Sequence, residues 1–368
     1  MEYNRARRWL ILQKQKMVKV KIGALLGIFF IFFVFSGCSV QTGKLDNKGG
    51  VYRSQDGGMT FEQKVKIDES SSLANSTILA MAFDPNDSNT IYAGTPDGLY
   101  RTTNGSDNWQ KLQNDFKKVR DIVIDPSNSD VIYVPTIVKG TGKIMRTINK
   151  GEEWEEMFTQ RTPEGSVFSV VVDHEDPSTI YAGDSSGAIY KTNDGGDTWK
   201  TLLWNKGGIK KIEIDNVDHK KIYFVSTKSK SQRTDDGGEN FIELSSDGYI
   251  YNLLAHPYQE NVVYISDKQG LHRSNDGGIT LIQFNTLVRP EQMGSRAIAI
   301  DPKNDKIIYF ASGKAVYKTV NGGETWKPVQ FNIPRRVQMM LIDPKNTDVL
   351  YLGTQKAQSK KRMKLFPF

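Results

Sequence analysis

Two carboxylates facing each other across a sugar are enough for glycoside hydrolysis, and this chain offers many acids. Glu69, Asp97, Asp115, Asp121, Glu164, Asp184, Asp267 and Glu291 fall in connections between predicted strands, where binding and catalysis usually reside. Sequence spacing gives no two of them a common site. The other conspicuous acids have a plainer explanation. Asp56, Asp194, Asp236 and Asp276 belong to a repeated turn, while Asp84, Asp125, Asp301 and Asp343 each precede a proline. An aspartate in such a place accepts backbone N–H bonds from its own turn. Four scattered histidines, with no zinc spacing and no glycine-rich phosphate loop, predict neither a metal nor an organic cofactor. Arginines and aromatics are more suggestive, because they are the usual anchors of protein interfaces and guanidinium suits carboxylates. Arg120, Arg161, Trp204, Lys210, Tyr251, Arg289, Arg296, Arg335 and Arg336 are the candidate partner-binding residues. Catalytic residues are not assigned.

The elements that must position these residues come from a repeat. An eight-residue pattern, Ser/Thr-x-Asp/Asn-x-Gly-x-Thr-Trp, starts at Ser54, Thr102, Thr147, Thr192, Thr234, Ser274 and Thr319. Its third position is Asp56, Asn104, Asn149, Asp194, Asp236, Asp276 or Asn321. The second copy has Ser106 in place of glycine, and the sixth ends at Leu281. Each box follows a short strand ending in a basic residue, which follows an apolar strand with one tyrosine, which follows an apolar run usually ending in Asp-Pro. Four short strands per repeat of 40 to 50 residues describe a propeller blade. With the strands named A to D, the repeat phase starts on a C–D pair (Val51–Val65) and ends on an A–B pair (Val337–Gly353). The prediction is therefore an all-β, seven-bladed β-propeller whose last blade joins both chain ends, leaving no open edge.

Both box turns and A–B turns then share one rim, so binding is expected on the opposite one. Counting five residues back from the end of each A strand gives Leu79, Arg120, Phe168, Lys210, Tyr251, Arg296 and Gln338, predicted to ring the channel mouth. The adjoining D–A loops add Phe116, Lys117, Lys118, Arg161, Trp204, Lys206, Arg289, Arg335 and Arg336. His256 and His272 fall at recurrent repeat positions and simply occupy them.

The box pattern resembles the Asp-box, or BNR-repeat, propellers across nearly all of residues 51–353. That superfamily includes sialidases, xyloglucanase-type glycosidases, the sortilin ectodomain and the photosystem II assembly factor family. The layout is most similar to the last, which implies an exported, non-catalytic scaffold acting during membrane-complex assembly. The box itself is a turn device and carries no activity. A sialidase is disfavoured: the nearest string to its Phe-Arg-Ile-Pro motif is Phe331-Asn-Ile-Pro334, which follows the last box and lacks the arginine.

The chain of 368 residues has a formal charge of +7, but the excess sits at its two ends. Residues 38–355 carry 37 basic against 41 acidic side chains, so no nucleic-acid footprint is expected. Near the N-terminus a basic stretch ends at Lys21, an apolar run covers Ile22 to Phe35, and Ser36-Gly37-Cys38 follows. That order is the signature of a bacterial lipoprotein signal, with Cys38 as the lipidation site. Initiation at Met17 would give a shorter basic region. Cys38 is the only cysteine, which excludes an intrachain disulfide. The expected organisation is a signal at 1–37, a tether at 38–50, a propeller at 51–355 and a basic tail at 356–368. The expected role is a lipid-anchored scaffold on the extracytoplasmic face of the bacterial membrane that binds a protein or acidic peptide. The alternative is a glycoside hydrolase or glycan-binding propeller acting on polysaccharide.

Overall fold

The computed structural model describes residues 49–112, 115–162, 165–246, 248–292, 294, 297–329 and 335–355. Cys38, Glu164, Arg296 and the segments expected as signal and tail lie outside them. The chain divides into two compact units, Met1–Asn47 and Lys48–Phe368, and the described residues all belong to the second.

This second unit forms seven four-stranded antiparallel sheets. Blade 1 comprises strand A (Ala80–Phe83), B (Ile91–Thr95), C (Gly98–Thr102) and D (Gln110–Lys111). The corresponding A strands of blades 2 to 6 are Val123–Ile124, Val167–Val172, Ile209–Ile214, Asn252–Ala255 and Ala297–Asp301. The B strands are Ile132–Val138, Ile180–Asp184, Ile222–Ser226, Val263–Asp267 and Asn304–Ser312. The C strands are Thr141–Thr147, Ala188–Thr192, Gln232–Thr234, Gly270–Ser274 and Ala315–Thr319, and the D strands Glu155–Thr159, Lys200–Trp204, Ile242–Glu243, Ile282–Gln283 and Lys327–Val329. Blade 7 takes A (Val337–Ile342) and B (Leu350–Thr354) from the end of the repeats and C (Val51–Ser54) and D (Glu62–Gln63) from the start. The joint is a full ladder, Val51 opposite Gly353 through Ser54 opposite Leu350. The ring closes as the repeat phase predicts.

The core lies between the blades. Seven buried apolar clusters form, each drawing from two neighbouring blades. The repeated B-strand tyrosines Tyr92, Tyr133, Tyr181, Tyr223, Tyr264, Tyr309 and Tyr351 are all buried there. The box turns are built alike. In blade 3 the Thr192 hydroxyl donates to Asp194 Oδ1 (2.6 Å) and accepts from Gly196 N–H (3.0 Å), and Asp194 Oδ1 accepts from Thr198 N–H (2.9 Å). The glycines at positions four and five have positive φ (Gly195 +69°, Gly196 +103°), which the tight turn requires. In the second copy Ser106 takes that conformation at φ 76°, and its N–H still donates to Thr102 Oγ1.

Neighbouring blades are also clamped by polar contacts. The basic residue closing strand C reaches the next blade's box: Arg146 to Gly195 O (3.0 Å), Lys191 to Gly237 O (3.0 Å), Lys318 to Gly57 O (2.8 Å). The B-strand tyrosine joins it, with Tyr181 donating to Gly237 O (3.1 Å) and Tyr309 to Gly57 O (2.9 Å). In blades 3 and 6 the Tyr and Lys thus form a shared cap over a turn carbonyl that would otherwise be buried without a donor.

Candidate functional site

The A strands surround a central cavity of about 650 Å³. Six of the seven residues expected at its mouth line it: Leu79, Arg120, Phe168, Lys210, Tyr251 and Gln338. Arg296 lies outside the described residues. Three of the six owe their aim to irregular pairing. Register shifts fall between Val167 and Ser169, Ile209 and Lys211, and Val337 and Met339, which leaves Phe168, Lys210 and Gln338 as bulge residues. A bulge re-aims a side chain at the end of a strand. Arg120 arrives differently. The A–B ladder of blade 2 is interrupted beyond Val123 opposite Tyr133, where Pro135, two positions further along strand B, has no N–H to give. Arg120 sits in that interruption, its N–H donating to Pro135 O (3.4 Å), and pairing resumes at Lys117 opposite Ile137.

Arg120 stacks its guanidinium on the Phe168 ring of the next blade, 4.9 Å from its centroid. The residue is open to the channel, yet the surrounding walls press Arg120 below its ordinary value by desolvation. Among the described residues no carboxylate pairs with it. Lys210 lies 3.7 Å from the Tyr249 centroid and donates to the carbonyls of Ile250 and Tyr251, the latter at 3.3 Å. Tyr249 and Tyr251 pack edge to face at 5.4 Å. The mouth therefore presents two cations, each backed by an aromatic from the following blade.

One layer deeper the cavity has two unlike halves. Asp121 Oδ2 accepts from Ser169 Oγ (2.8 Å) and Val170 N–H (3.2 Å), and Ser169 Oγ accepts from Ile212 N–H (3.1 Å). Lys211 pairs with Glu213 (3.0 Å) and donates to Leu253 O (2.6 Å), while Glu213 accepts from Ala255 N–H (3.2 Å). These side chains stitch blades 2 to 5 together. Across the channel, blades 6, 7 and 1 contribute Ala297, Met339 and Ala80 at the equivalent level. Burial raises the Asp121 carboxyl, outweighing the bonds from Ser169, Val170 and Ile122. Counting four residues back from each A-strand end, instead of five, would have found this layer in the sequence.

Other candidates scatter. Trp204, Arg161, Arg289 and Arg336 are exposed on the D–A rim outside the cavity. Two expectations are corrected. Arg335 is buried at 6% exposure, donating to Ala74 O (2.9 Å) and Asn75 Oδ1 (3.3 Å), so it fastens the blade 7 to blade 1 connection and is not a rim contact. Phe116 packs edge to face on Trp154 at 5.0 Å within the blade 1–2 core. Among the candidate acids, Asp184 and Asp267 are buried where strand B turns into strand C. Asp184 accepts from Ser186, Gly187, Ala188 and Tyr190. Asp267 accepts from Ser246 and Gln269. Glu69, Asp97 and Asp115 are exposed.

Likenesses to known proteins are informative for this fold. A family model described as sortilin, neurotensin receptor 3 (Sortilin-Vps10) matches residues 97–204. The xyloglucanase Xgh74A of Acetivibrio thermocellus is 29% identical over 164 residues, covering 43% of this chain and 16% of its own length. The crystal structure of the GH74 xyloglucanase from Xanthomonas campestris superposes with a TM-score of 0.66 at 15% identity, over 80% of this chain and 52% of that one. YCF48 from Cyanidioschyzon merolae gives 0.59 at 15% identity, over 76% and 95%. YCF48 bound to D1 peptide gives 0.57 at 16% identity, over 76% and 93%. The match thus spans a small part of the curated xyloglucanase, about half of the solved one and nearly all of YCF48. These similarities show that the chain shares its β-propeller fold with proteins that include xyloglucanases and a peptide-bound protein.

Proposed function

We propose that this protein is a non-catalytic propeller scaffold that receives an acidic peptide or extramembrane loop of a protein partner at its channel mouth. The observation that carries it is Arg120: a partly desolvated guanidinium on Phe168, open to a 650 Å³ cavity and without a carboxylate among the described residues. An anionic segment would supply the missing counter-charge, and such charge-assisted bonds are the strong ones. The peptide-bound state of the similarly sized YCF48 propeller supports the same use of the fold. The layout of an exported assembly factor, anchored by lipid at Cys38 on the extracytoplasmic face of the bacterial membrane, belongs to this reading.

Fluorescence anisotropy with the full chain in detergent micelles tests the mouth. Labelled peptides rich in Asp and Glu should bind, and their Lys counterparts should not. Arg120→Glu should weaken binding at least about tenfold, or 1.4 kcal/mol, with an unchanged melting temperature. Equal binding of both peptide sets, or an indifferent Arg120→Glu, would refute the reading. The anchor is tested separately by feeding the host an alkyne palmitate: label should enter the protein and vanish in Cys38→Ser.

The second reading, a glycoside hydrolase or glycan binder, is favoured by the 29% identity to a xyloglucanase. Against it, the two carboxylates that line the cavity among the described residues are committed: Asp121 to blade 3 and Glu213 to Lys211 and blade 5. Release of reducing sugar from xyloglucan, lost in Asp121→Asn, would reverse the preference.

A further inference from the structure

The two rims of the propeller carry opposite charge. Between the strand ends, the A–B turns and boxes hold 23 acidic and 5 basic residues, whereas the D–A and B–C connections hold 8 acidic and 16 basic. Of those 8 acids, Asp121 is bound into the channel wall. Asp184 and Asp267, which end B strands on the same side, are buried and add little to the surface there. The cations are mostly at the surface, with Lys139, Lys206, Lys228, Lys268, Arg289 and Lys314 all exposed. A near-neutral body thus conceals a strong charge asymmetry, which orients a molecule in a field before it touches anything.

The basic rim has two further properties. It exposes Trp204 at 62%, Leu287 at 60% and Tyr249 at 39%, while the box rim exposes Met59, Ile148, Val217, Tyr258, Ile279 and Val320. It is therefore charge that tells the rims apart, and the basic rim's Trp and Tyr suit the boundary between hydrocarbon and headgroups. The chain also enters and leaves the propeller there. Gly49 N–H donates to Ala74 O in the connection from blade 7 to blade 1, and Gln355 N–H donates to Arg336 O. Between Cys38 and Gly49 stand ten residues, able to span at most about 35 Å.

We propose that this rim lies against the anionic headgroup surface of a lipid bilayer, with its lysines and arginines on lipid phosphates and Trp204 and Leu287 at the acyl boundary. The acidic box rim faces away, repelled by the same surface. This inference rests on the proposed function only for the exported, anchored state of the chain. Its consequence is that the channel mouth opens toward the membrane, so that the segments within its reach are those lying at the bilayer surface.

Cys38 is the sole native cysteine and carries the lipid in this reading, so an introduced cysteine can be labelled alone. The full chain, with a donor fluorophore at Lys268→Cys on the basic rim or Glu324→Cys on the box rim, is reconstituted in protein-free vesicles carrying headgroup acceptors. With phosphatidylglycerol present, energy transfer from position 268 should exceed that from 324 about twofold or more, and the excess should fade at about 0.5 M salt. It should also fade in pure phosphatidylcholine and in Lys139→Glu/Lys228→Glu/Lys314→Glu. Equal transfer from both rims, stronger transfer from 324, an excess indifferent to lipid charge, or no vesicle association would each overturn the proposal. A triple variant with a lowered melting temperature is set aside, and the salt and lipid arms decide alone. Peptide affinity in micelles is read on the same variant: it retains Arg120 and Lys210 and should bind as before, so failure of the bilayer contact and failure of the peptide site are distinguishable.

Discussion

His256 occupies a turn position that is aspartate in the other six blades, and it does the same work with a nitrogen. Its Nδ1 accepts from Tyr258 N–H (3.2 Å) and Gln259 N–H (3.1 Å), as Asp84 accepts from Asn86 N–H (2.8 Å). That bonding requires a neutral ring with the proton on Nε2. Burial presses His256 below the ordinary imidazole value, and nearby Asp305, at 3.5 Å, does not reverse it. The unfolded chain therefore binds the proton more readily than the folded one. Stability from this site is complete above the unfolded value of about 6.5 and is lost as pH falls from there toward the depressed folded value. His256→Asn keeps an acceptor and removes the titration. Between pH 7.5 and 5.5 its melting temperature should fall less than that of the native protein; parallel curves would show that His256 does not titrate against folding. The recurrent position of this residue was legible in the sequence. The fates of Arg335 and Phe116 were not, because a loop residue's position along the chain does not say whether its side chain turns outward or under the next blade.

Strands and turns were legible because they depend on local signals: alternating apolar residues, Asp-Pro, and a box with its own hydroxyl, carboxylate and glycines. Features that depend on partners in another blade were not. The Tyr and Arg/Lys recurrences were visible, but their shared target, a carbonyl in the next box, is about 50 residues away in the chain: Arg146 reaches Gly195 and Tyr181 reaches Gly237. The bulges that aim Phe168, Lys210 and Gln338 leave no mark in composition either. Within the box, the hydroxyl at position one is the residue with no substitute. Thr192 is buried and serves Gly196 N–H and Asp194 at once. Thr192→Val keeps the shape and strands a buried N–H, which should cost about 1–3 kcal/mol in urea or thermal unfolding. An unchanged midpoint would mean that the glycine conformation alone holds the turn.

At the scale of the ring, stability is a property of closure. Blade 7 is assembled from chain ends, and ends ordinarily fray, yet its ladder runs from Val51–Gly353 to Ser54–Leu350. Two clamps flank it. Tyr309 and Lys318 of blade 6 hold Gly57 O, and Arg53 and Tyr351 of blade 7 hold Gly105 O. A ring locked this way has no weakest blade by virtue of chain order. Amide exchange in Val51–Ser54 and Leu350–Thr354 should then be as slow as in Ile180–Asp184, the B strand of blade 3. Removing one clamp with Tyr309→Phe and Lys318→Met leaves the Gly57 carbonyl without either donor and loosens one side of the joint. Exchange in Val51–Ser54 should rise about tenfold, equivalent to 1.4 kcal/mol, while Ile180–Asp184 stays protected. If every blade accelerates together, the ring opens as one cooperative unit and the joint is no softer than the rest. If Val51–Ser54 already exchanges fast in the native protein, the ladder is held by neighbours too weak to offset end fraying, and closure is not the source of the ring's stability.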